Sequence, residues 1–320
     1  MGQIGQAGAC KEHYRCRCVE FGHISGKSIL LRWTPAGAVP SPTALQIRVT
    51  RVFPGRVQAG APFPSADLGA PEVLNNIEHF TQGMRGPRTQ PCSALVLSGT
   101  LDESLASVLE QGRAWGINRI TAHLALVDAI DWQKSKLAPL VDHIVVNLSS
   151  PSDAARLQGL NIAFSAAVLL DEITLPQLPQ LARGLVAARP ERIVFTWPFP
   201  PISPPPPTSA VAGPLGEALS LLDNKVDCGI KGLPACQLPD GPLRRGDRLW
   251  RSGNRWYVDA DHQFSQAMLF FPHIVRFAKS DVCRFCSRDT TCDGVVEQWR
   301  DARLTSSLVP VEDRSSKVDK

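Results

Sequence analysis

The sequence predicts an α/β protein built around a parallel sheet, in which about six strands alternate with helices. Between about residues 43 and 227, short apolar runs alternate with helix-like segments. Alternation at this spacing is typical of βα units joined by right-handed crossovers. A hydrophobic fraction of 43 % in 320 residues is enough for a full core and excludes global disorder. About six such units form either a partial barrel or a doubly wound sheet.

Six apolar runs are the predicted strands because they are short and rich in Leu, Ile and Val. The second run is almost continuously apolar, as expected of a strand that is buried on both faces. In chain order the predicted strands are residues 43–53, 93–98, 117–124, 143–148, 161–170 and 192–197.

Helices are predicted after the later strands. The leucines at positions 101, 105 and 109 repeat with helical spacing, and Gly116 fits a C-terminal cap. A run with seven prolines, residues 198–207, continues neither element and predicts a stiff spacer. Ser252-Gly253-Asn254 predicts a hairpin that joins residues 249–250 to 256–258. The predicted helices are residues 101–115, 128–140, 151–157, 175–188 and 210–222.

Charge and hydropathy restrict the class of protein. With 34 basic and 30 acidic residues the net charge is +4, too small to indicate nucleic-acid binding. No apolar run approaches the roughly 18–20 residues of a membrane helix. The first residues lack the basic flank and apolar stretch of a signal peptide. We therefore expect a cytoplasmic protein with no nucleic-acid or membrane partner.

Cysteines are the strongest candidates for a functional site. Nine are present, and clustered cysteines without a secretory signal indicate metal ligands. Cys283, Cys286 and Cys292 form a Cys-x2-Cys-x5-Cys run, in which Asp293-Gly294 supplies a turn, and Cys236 is the natural fourth ligand. Four thiolates suit either a [4Fe–4S] cluster or a structural zinc ion, and spacing alone does not separate the two.

The N-terminal cysteines leave three interpretations open. Cys10, Cys16 and Cys18 lie within nine residues, ahead of the first predicted strand. They could bind a metal, they could be exposed thiols on a flexible terminus, or they could hold a displaced catalytic cluster.

Two further cysteines and two histidines have mainly structural interpretations. Cys92 and Cys228 are predicted to be ordinary buried thiols, with Cys228 as the reserve metal ligand. His123 and His143 lie on predicted strands. They face a barrel interior or are core histidines bonded to the backbone.

The chain resembles the radical S-adenosylmethionine superfamily over roughly residues 43–299. The resemblance lies in the βα repeat, the segment Gly232-Leu-Pro-Ala-Cys236 after it, and the Cys-x2-Cys-x5-Cys-x-Gly run that starts at Cys283. Residues 142–149 also resemble the family's fourth barrel strand. The resemblance implies a partial (βα)6 TIM-like barrel with a small C-terminal iron–sulfur region. It also implies that Cys236, Cys283, Cys286 and Cys292 hold an auxiliary [4Fe–4S] cluster, with zinc as the alternative.

Two motifs of the family's catalytic site are absent from the sequence. The family needs Cys-x3-Cys-x2-Cys after the first strand, and the matching positions here are Phe53, Val57 and Gly60, none of which binds iron. The family's Gly-Gly-Glu-Pro motif corresponds to Leu97-Ser-Gly-Thr100, which has no acid. S-adenosylmethionine is therefore not an expected cofactor, and conventional radical catalysis is not expected.

The expected organisation has four parts. An N-terminal extension (residues 1–42) precedes the barrel (43–227), which is followed by a cysteine-rich auxiliary-cluster region (228–303) and a flexible tail (304–320). The leading hypothesis is a non-catalytic iron–sulfur protein that serves as a partner or electron-transfer subunit of a related maturation or biosynthetic enzyme. An active radical or redox enzyme with a non-standard cluster is the alternative, and a structural zinc protein is the second. Phe53 and Val57 would line an apolar barrel mouth that binds a peptide or protein, such as a catalytically intact relative.

Overall fold

The computed structural model describes residues 15–20, 31–36, 42–51, 64–83, 90–160, 162–197, 206–238, 255–269, 277–289, 292 and 294–296. The strands in these residues are β1 Arg15–Glu20, β2 Leu31–Ala36, β3 Ala44–Arg48, β4 Ala94–Ser98, β5 Arg119–Ala125, β6 His143–Leu148, β7 Phe164–Leu169, β8 Arg192–Thr196, β9 Asp227–Lys231, β10 Trp256–Val258, β11 Met268–Leu269, β12 Phe277–Lys279 and β13 Val295–Val296. The α-helices are α1 Ala70–Glu78, α2 Leu105–Ala114, α3 Leu126–Asp131, α4 Pro151–Arg156, α5 Leu178–Ala188 and α6 Thr208–Leu222.

A large sheet contains nine strands in the order β11-β10-β3-β4-β5-β6-β7-β8-β9. Eight of them, β10 and β3 to β9, are parallel, and β11 is antiparallel at one edge. The six predicted strands are confirmed, and β9 and β10 continue the sheet past residue 227. From β3 to β9 the spatial order follows the chain order, so the sheet is not doubly wound. Within the described residues, the edge strands β9 and β11 do not pair, and the sheet is not closed.

Burial alternates along the strands, and this alternation defines an apolar face. On β3, Leu45 and Ile47 are completely buried. Leu95 and Leu97 lie beside them on β4 and are buried too. These side chains belong to one core with the apolar stripes of the helices, including Leu109 of α2. Sequential strand order with right-handed crossovers puts all helices on one side of a sheet. The apolar face is therefore the face that packs against the helices.

Capping residues explain where several helices begin and end. Ser150 and Asp153 form a capping box at the start of α4, with the Asp153 carboxylate accepting from the Ser150 amide at 2.9 Å. Helix α5 ends at Arg189, which adopts left-handed backbone with φ of 53°. Gly116, the predicted cap, follows α2 with φ of 101°, so that prediction is confirmed.

One prediction of local structure is wrong. The predicted helix at residues 128–140 is interrupted: α3 ends at Asp131, and short 3-10 turns follow at Trp132–Lys134 and Ala138–Leu140. Ser135 has extended backbone, with φ of −76° and ψ of 141°, so a helix does not continue through this position.

The predicted hairpin lies partly outside the described residues. Of its two strands the structure describes only β10, which pairs with β3 on one side and with β11 on the other.

A small antiparallel sheet has the order β1-β2-β12-β13. It joins two strands that precede the large sheet to two strands from the cysteine-rich region. The small sheet therefore links the predicted N-terminal extension to the segment that leads into Cys283.

Candidate functional site

The four predicted metal ligands lie in two short segments that follow strands. Cys236 is in the 3-10 turn Ala235–Gln237 after β9, and Cys283 is in the 3-10 helix Asp281–Phe285 after β12. Cys286 and Cys292 come directly after that helix. All four side chains are half-buried, and no cysteine whose side chain the structure describes forms a disulfide.

Strands β12 and β13 bring two of these segments together. Cys236 and Cys283 both pack against Ala278 of β12 and Val295 of β13. The charges of Cys292 and Cys236 act on the Cys283 thiol, although burial is the main cause that raises its pKa to about 11. Three of the predicted ligands, Cys236, Cys283 and Cys292, therefore lie near one another beside β12 and β13.

Amide hydrogens point at two of the sulfur atoms. The Arg288 amide donates to Cys286 Sγ at 3.4 Å, and the Gly294 amide donates to Cys292 Sγ at the same distance. Each bond closes a turn that spans two residues.

Two contacts fix the cysteine loop on β12. Gly294 has φ of 86°, and a Cβ atom there would lie 2.9 Å from Lys279 Cγ and would also meet the Ala278 carbonyl. The Lys279 ammonium, almost completely buried, donates to Asp289 Oδ1 at 2.9 Å. A glycine is therefore needed at position 294 so that the backbone can approach β12, whereas Asp293 of the predicted turn lies outside the described residues.

The cysteines of this region lie near one another, but they do not form a complete set of metal ligands. Among the residues with described side chains, no three His, Cys, Asp or Glu side chains come close enough together to hold a metal ion.

The other cysteines divide between the core and the terminus. Cys92 and Cys228 are buried in the core of the large sheet, and burial raises the pKa of each to about 12. This confirms the prediction of ordinary buried thiols and favours Cys236 over Cys228 as the fourth ligand. Cys16 and Cys18 lie on β1, two strands away from β12, with Cys18 aligned to Phe277 through Trp33.

Some of the predicted positions lie outside the described residues. These are Cys10 and the three positions that match the missing catalytic motif, Phe53, Val57 and Gly60.

The opposite face of the large sheet, which we call the polar face, carries a second set of candidate residues. Register places Arg48, Ser98, His123, Val145 and Ser165 side by side across β3 to β7. The polar side chains of this face are Gln46, Arg48, Ser98, Arg119, Thr121, His123, His143, Asn147, Ser165, Arg192, Thr196, Asp227, Lys231, Arg255, Tyr257 and Asp259.

Burial on the polar face is uneven. Thr121 and His123 of β5 are half-buried, whereas their neighbours Ile120 and Ala122 on the apolar face are completely buried. Most of the other polar side chains of this face are buried, among them Arg48, Ser98 and Tyr257.

The environment of His123 disfavours its protonated form. Burial lowers the pKa of His123 to about 3, and the charges of Arg255, Lys231 and His143 lower it further.

His143 is held by side chains near the start of its strand. Its Nε2 lies 2.9 Å from Ser165 Oγ, and its Nδ1 lies 3.4 Å from Glu191 Oε2. Burial is the first cause that lowers the pKa of His143, the Glu191 charge opposes the shift and Arg119 adds to it. His123 and His143 both belong to the polar face of the sheet.

Three cations of the polar face, Arg48, Lys231 and Arg255, are not among the residues predicted from sequence. Alternation on β3 is a signal for Arg48, since Gln46 and Arg48 alternate with Leu45 and Ile47. Lys231 and Arg255 have no such signal, because neither β9 nor β10 is predicted as a strand of the sheet.

Comparison with known proteins identifies no relative. No family model matches the chain, and no curated protein matches it. None of the helices in the described part of the chain is both long enough and apolar enough to span a bilayer.

Proposed function

We propose that this chain is an iron–sulfur protein on a partial TIM-like barrel, related to the radical S-adenosylmethionine scaffold but without its catalytic cluster. It serves as a partner or electron-transfer subunit of a related enzyme. The observation that supports this most is the approach of Cys236 to Cys283 and Cys292, since Cys236 is 47 residues before Cys283 in the sequence.

The donor set fits such a cluster. Cys236, Cys283, Cys286 and Cys292 would be its ligands, and four thiolates are the usual set for [4Fe–4S]. Backbone amides already bond to two of the sulfurs, and such bonds tune a cluster's potential. Ligation is coupled to local folding, so the thiols need not form a complete set beforehand. When bound, the cluster would supply one-electron transfer.

The partner hypothesis rests on the parallel sheet, which is not closed within the described residues. Ligands bind at the carboxyl ends of parallel strands in barrels and open α/β sheets. We propose that a peptide or a protein, such as a catalytically intact relative, docks at this end of the sheet.

Metal analysis tests the cluster. Protein purified without oxygen is expected to be brown and to contain about four irons and four sulfides per chain. Cys283→Ser and Cys286→Ser should each lose most of the iron, whereas the matched control Cys92→Ala, in the core of the large sheet, should retain it. Stoichiometric zinc without sulfide, or equal iron loss in the control, would overturn the cluster.

The absence of the Cys-x3-Cys-x2-Cys motif leads to a separate prediction. With S-adenosylmethionine and excess dithionite, the reconstituted protein should form no 5′-deoxyadenosine, because Phe53, Val57 and Gly60 offer no ligand for an iron. Liquid chromatography with mass detection measures the product. Stoichiometric 5′-deoxyadenosine that disappears when Cys10, Cys16 and Cys18 are replaced together would contradict the non-catalytic assignment.

A further inference from the structure

We propose that Ser165, His143 and Glu191 form a triad of nucleophile, base and acid that transfers a small acyl group from an ester to water. Ser165 is the nucleophile, His143 is the general base, and Glu191 positions the ring of His143. This activity goes beyond the proposed electron-transfer role and uses none of the cysteines.

Three strands bring the triad together at the amino end of the large sheet. His143 is the first residue of β6, Ser165 is the second residue of β7, and Glu191 immediately precedes β8. The Glu191 amide donates to the Phe164 carbonyl at 2.9 Å, which holds the start of β8 beside β7. The fold, rather than a local turn, therefore assembles the triad. It lies at the end of the sheet opposite to the one proposed for the protein partner.

The distances suit proton transfer along the triad. Ser165 Oγ lies 2.9 Å from His143 Nε2, within the range of about 2.6–3.2 Å that a nucleophile and its base require. On the other side of the ring, Glu191 Oε2 lies 3.4 Å from His143 Nδ1. A carboxylate at this position favours the ring proton on Nδ1. Nε2 is then left to accept a proton from the Ser165 hydroxyl.

His143 is unprotonated at neutral pH, as a general base must be. Burial is the first cause that lowers its pKa, the Glu191 charge opposes the shift, and the Arg119 charge adds to it. Arg119 is exposed at the start of β5, the strand that pairs with β6. A cation beside the reacting group also stabilises the negative oxygen of a tetrahedral intermediate.

Exposure of the triad limits the size of the substrate. The Glu191 side chain is 59 % exposed and the His143 side chain is 15 % exposed, whereas Ser165 is 9 % exposed. The triad is therefore open to solvent at Glu191 and narrows towards the nucleophile. An acetyl group is small enough to reach Ser165, whereas a bulky acyl group is not.

The reaction needs no oxidant or cofactor. Ser165 Oγ forms a bond to the acyl carbon and its proton passes to His143 Nε2. The bond between the acyl carbon and the alcohol oxygen then breaks, and His143 returns the proton to that oxygen. Water repeats the two steps on the acyl-serine. The products are the free acid and the alcohol, and the Ser165 hydroxyl is restored.

Covalent labelling of the full-length protein tests the nucleophile. Methanesulfonyl fluoride is a small irreversible reagent for activated serines, and we expect it to sulfonylate Ser165. Peptide mapping by mass spectrometry locates the label without any substitution, so the result does not depend on whether a variant folds. Phenylmethanesulfonyl fluoride has the same reactive group on a larger side group and should react more slowly.

Variants assign the roles in the hydrolysis of p-nitrophenyl acetate. Ser165→Ala and His143→Gln should each lower kcat/KM by about a hundredfold or more, as expected for loss of a nucleophile or a general base. Ser98→Ala and His123→Gln remove a serine and a histidine from other strands of the same face and should retain the rate.

Glu191 has a separate readout because it acts through His143. Glu191→Gln should lower kcat and leave KM unchanged, since the carboxylate positions the base and does not bind the ester. The loss should be smaller than that in His143→Gln because the Glu191 side chain is largely exposed.

The proposal fails on either of two results. One is the absence of a methanesulfonyl label on Ser165 after treatment with excess reagent. The other is a hydrolysis rate that His143→Gln lowers no more than His123→Gln does. Equal rates for the two sulfonyl fluorides would contradict the restriction to small acyl groups.

Discussion

Gly99 shows how a single residue joins the ends of two neighbouring strands. Its φ is 115°, and a Cβ atom at this position would lie 2.8 Å from the Thr50 amide nitrogen. The next residue, Thr100, donates its amide to Thr50 Oγ1 at 3.1 Å. The structure thus shows a close backbone contact just beyond the carboxyl ends of β3 and β4.

Gly99→Ala should therefore destabilise the protein more than an ordinary glycine replacement. Left-handed backbone costs a residue with a Cβ about 1–2 kcal/mol, and overpacking adds about 1–3 kcal/mol. Gly116→Ala is the matched control, since Gly116 also has positive φ but a Cβ atom there would meet nothing within 4 Å. Urea unfolding measures both, and equal losses would show that the contact with Thr50 does not matter.

His123 predicts how stability depends on pH. Its pKa in the folded chain, about 3, lies below the value of about 6.5 expected when unfolded. Between these values the unfolded chain binds a proton that the folded chain does not, so the free energy of unfolding falls as pH falls through this window. The slope from one such group is at most about 1.4 kcal/mol per pH unit, and less here because the ring is partly exposed.

Replacing His123 should flatten this dependence. In urea titrations between pH 7 and pH 4.5, His123→Gln is expected to lose less stability than the unmodified protein, because the variant has no ring to protonate on unfolding. Parallel pH profiles for the two proteins would refute the assignment of an unprotonated His123.

Among the elements, the strands that pack on both sides are the ones predictable from sequence. β4 and β7 are continuous or nearly continuous apolar runs, and their interior burial leaves a local signal. β9 and β10 leave little signal, because β9 begins with Asp227 and ends with Lys231 and β10 has only three residues. Their place in the sheet depends on pairing between distant parts of the chain.

The same distinction applies to the two candidate sites. The spacing of Cys283, Cys286 and Cys292 is local, so the loop that holds them is predictable, including its glycine turn. The polar face requires the register of several strands. Register is not visible in the separate residues, which is why Lys231 and Arg255 cannot be predicted from sequence.

At the scale of the whole molecule, strand order decides where a ligand has access. Because β3 to β9 follow each other in space as in sequence, the helices occupy one face and leave the polar face without a helical layer. Most polar side chains of that face are nevertheless buried, among them Arg48, Ser98 and Tyr257. The proposed cluster lies apart from this face, in the loop that follows β12 of the small sheet.

The small sheet also imposes an order on folding. Its strand β2 pairs with β12, with Trp33 opposite Phe277, so residues near the two ends of the chain must meet. Neighbouring strands of the large sheet close much shorter loops, and short-range contacts form faster. During synthesis β2 cannot pair with β12 until residues 277–279 have been made.

Pulse-labelled hydrogen exchange tests this order. We expect amides of β4 to β8 to gain protection before those of β2 and β12, and simultaneous protection would contradict the order. Cluster insertion beside β12 would then be a late event, on a chain whose larger sheet has already formed.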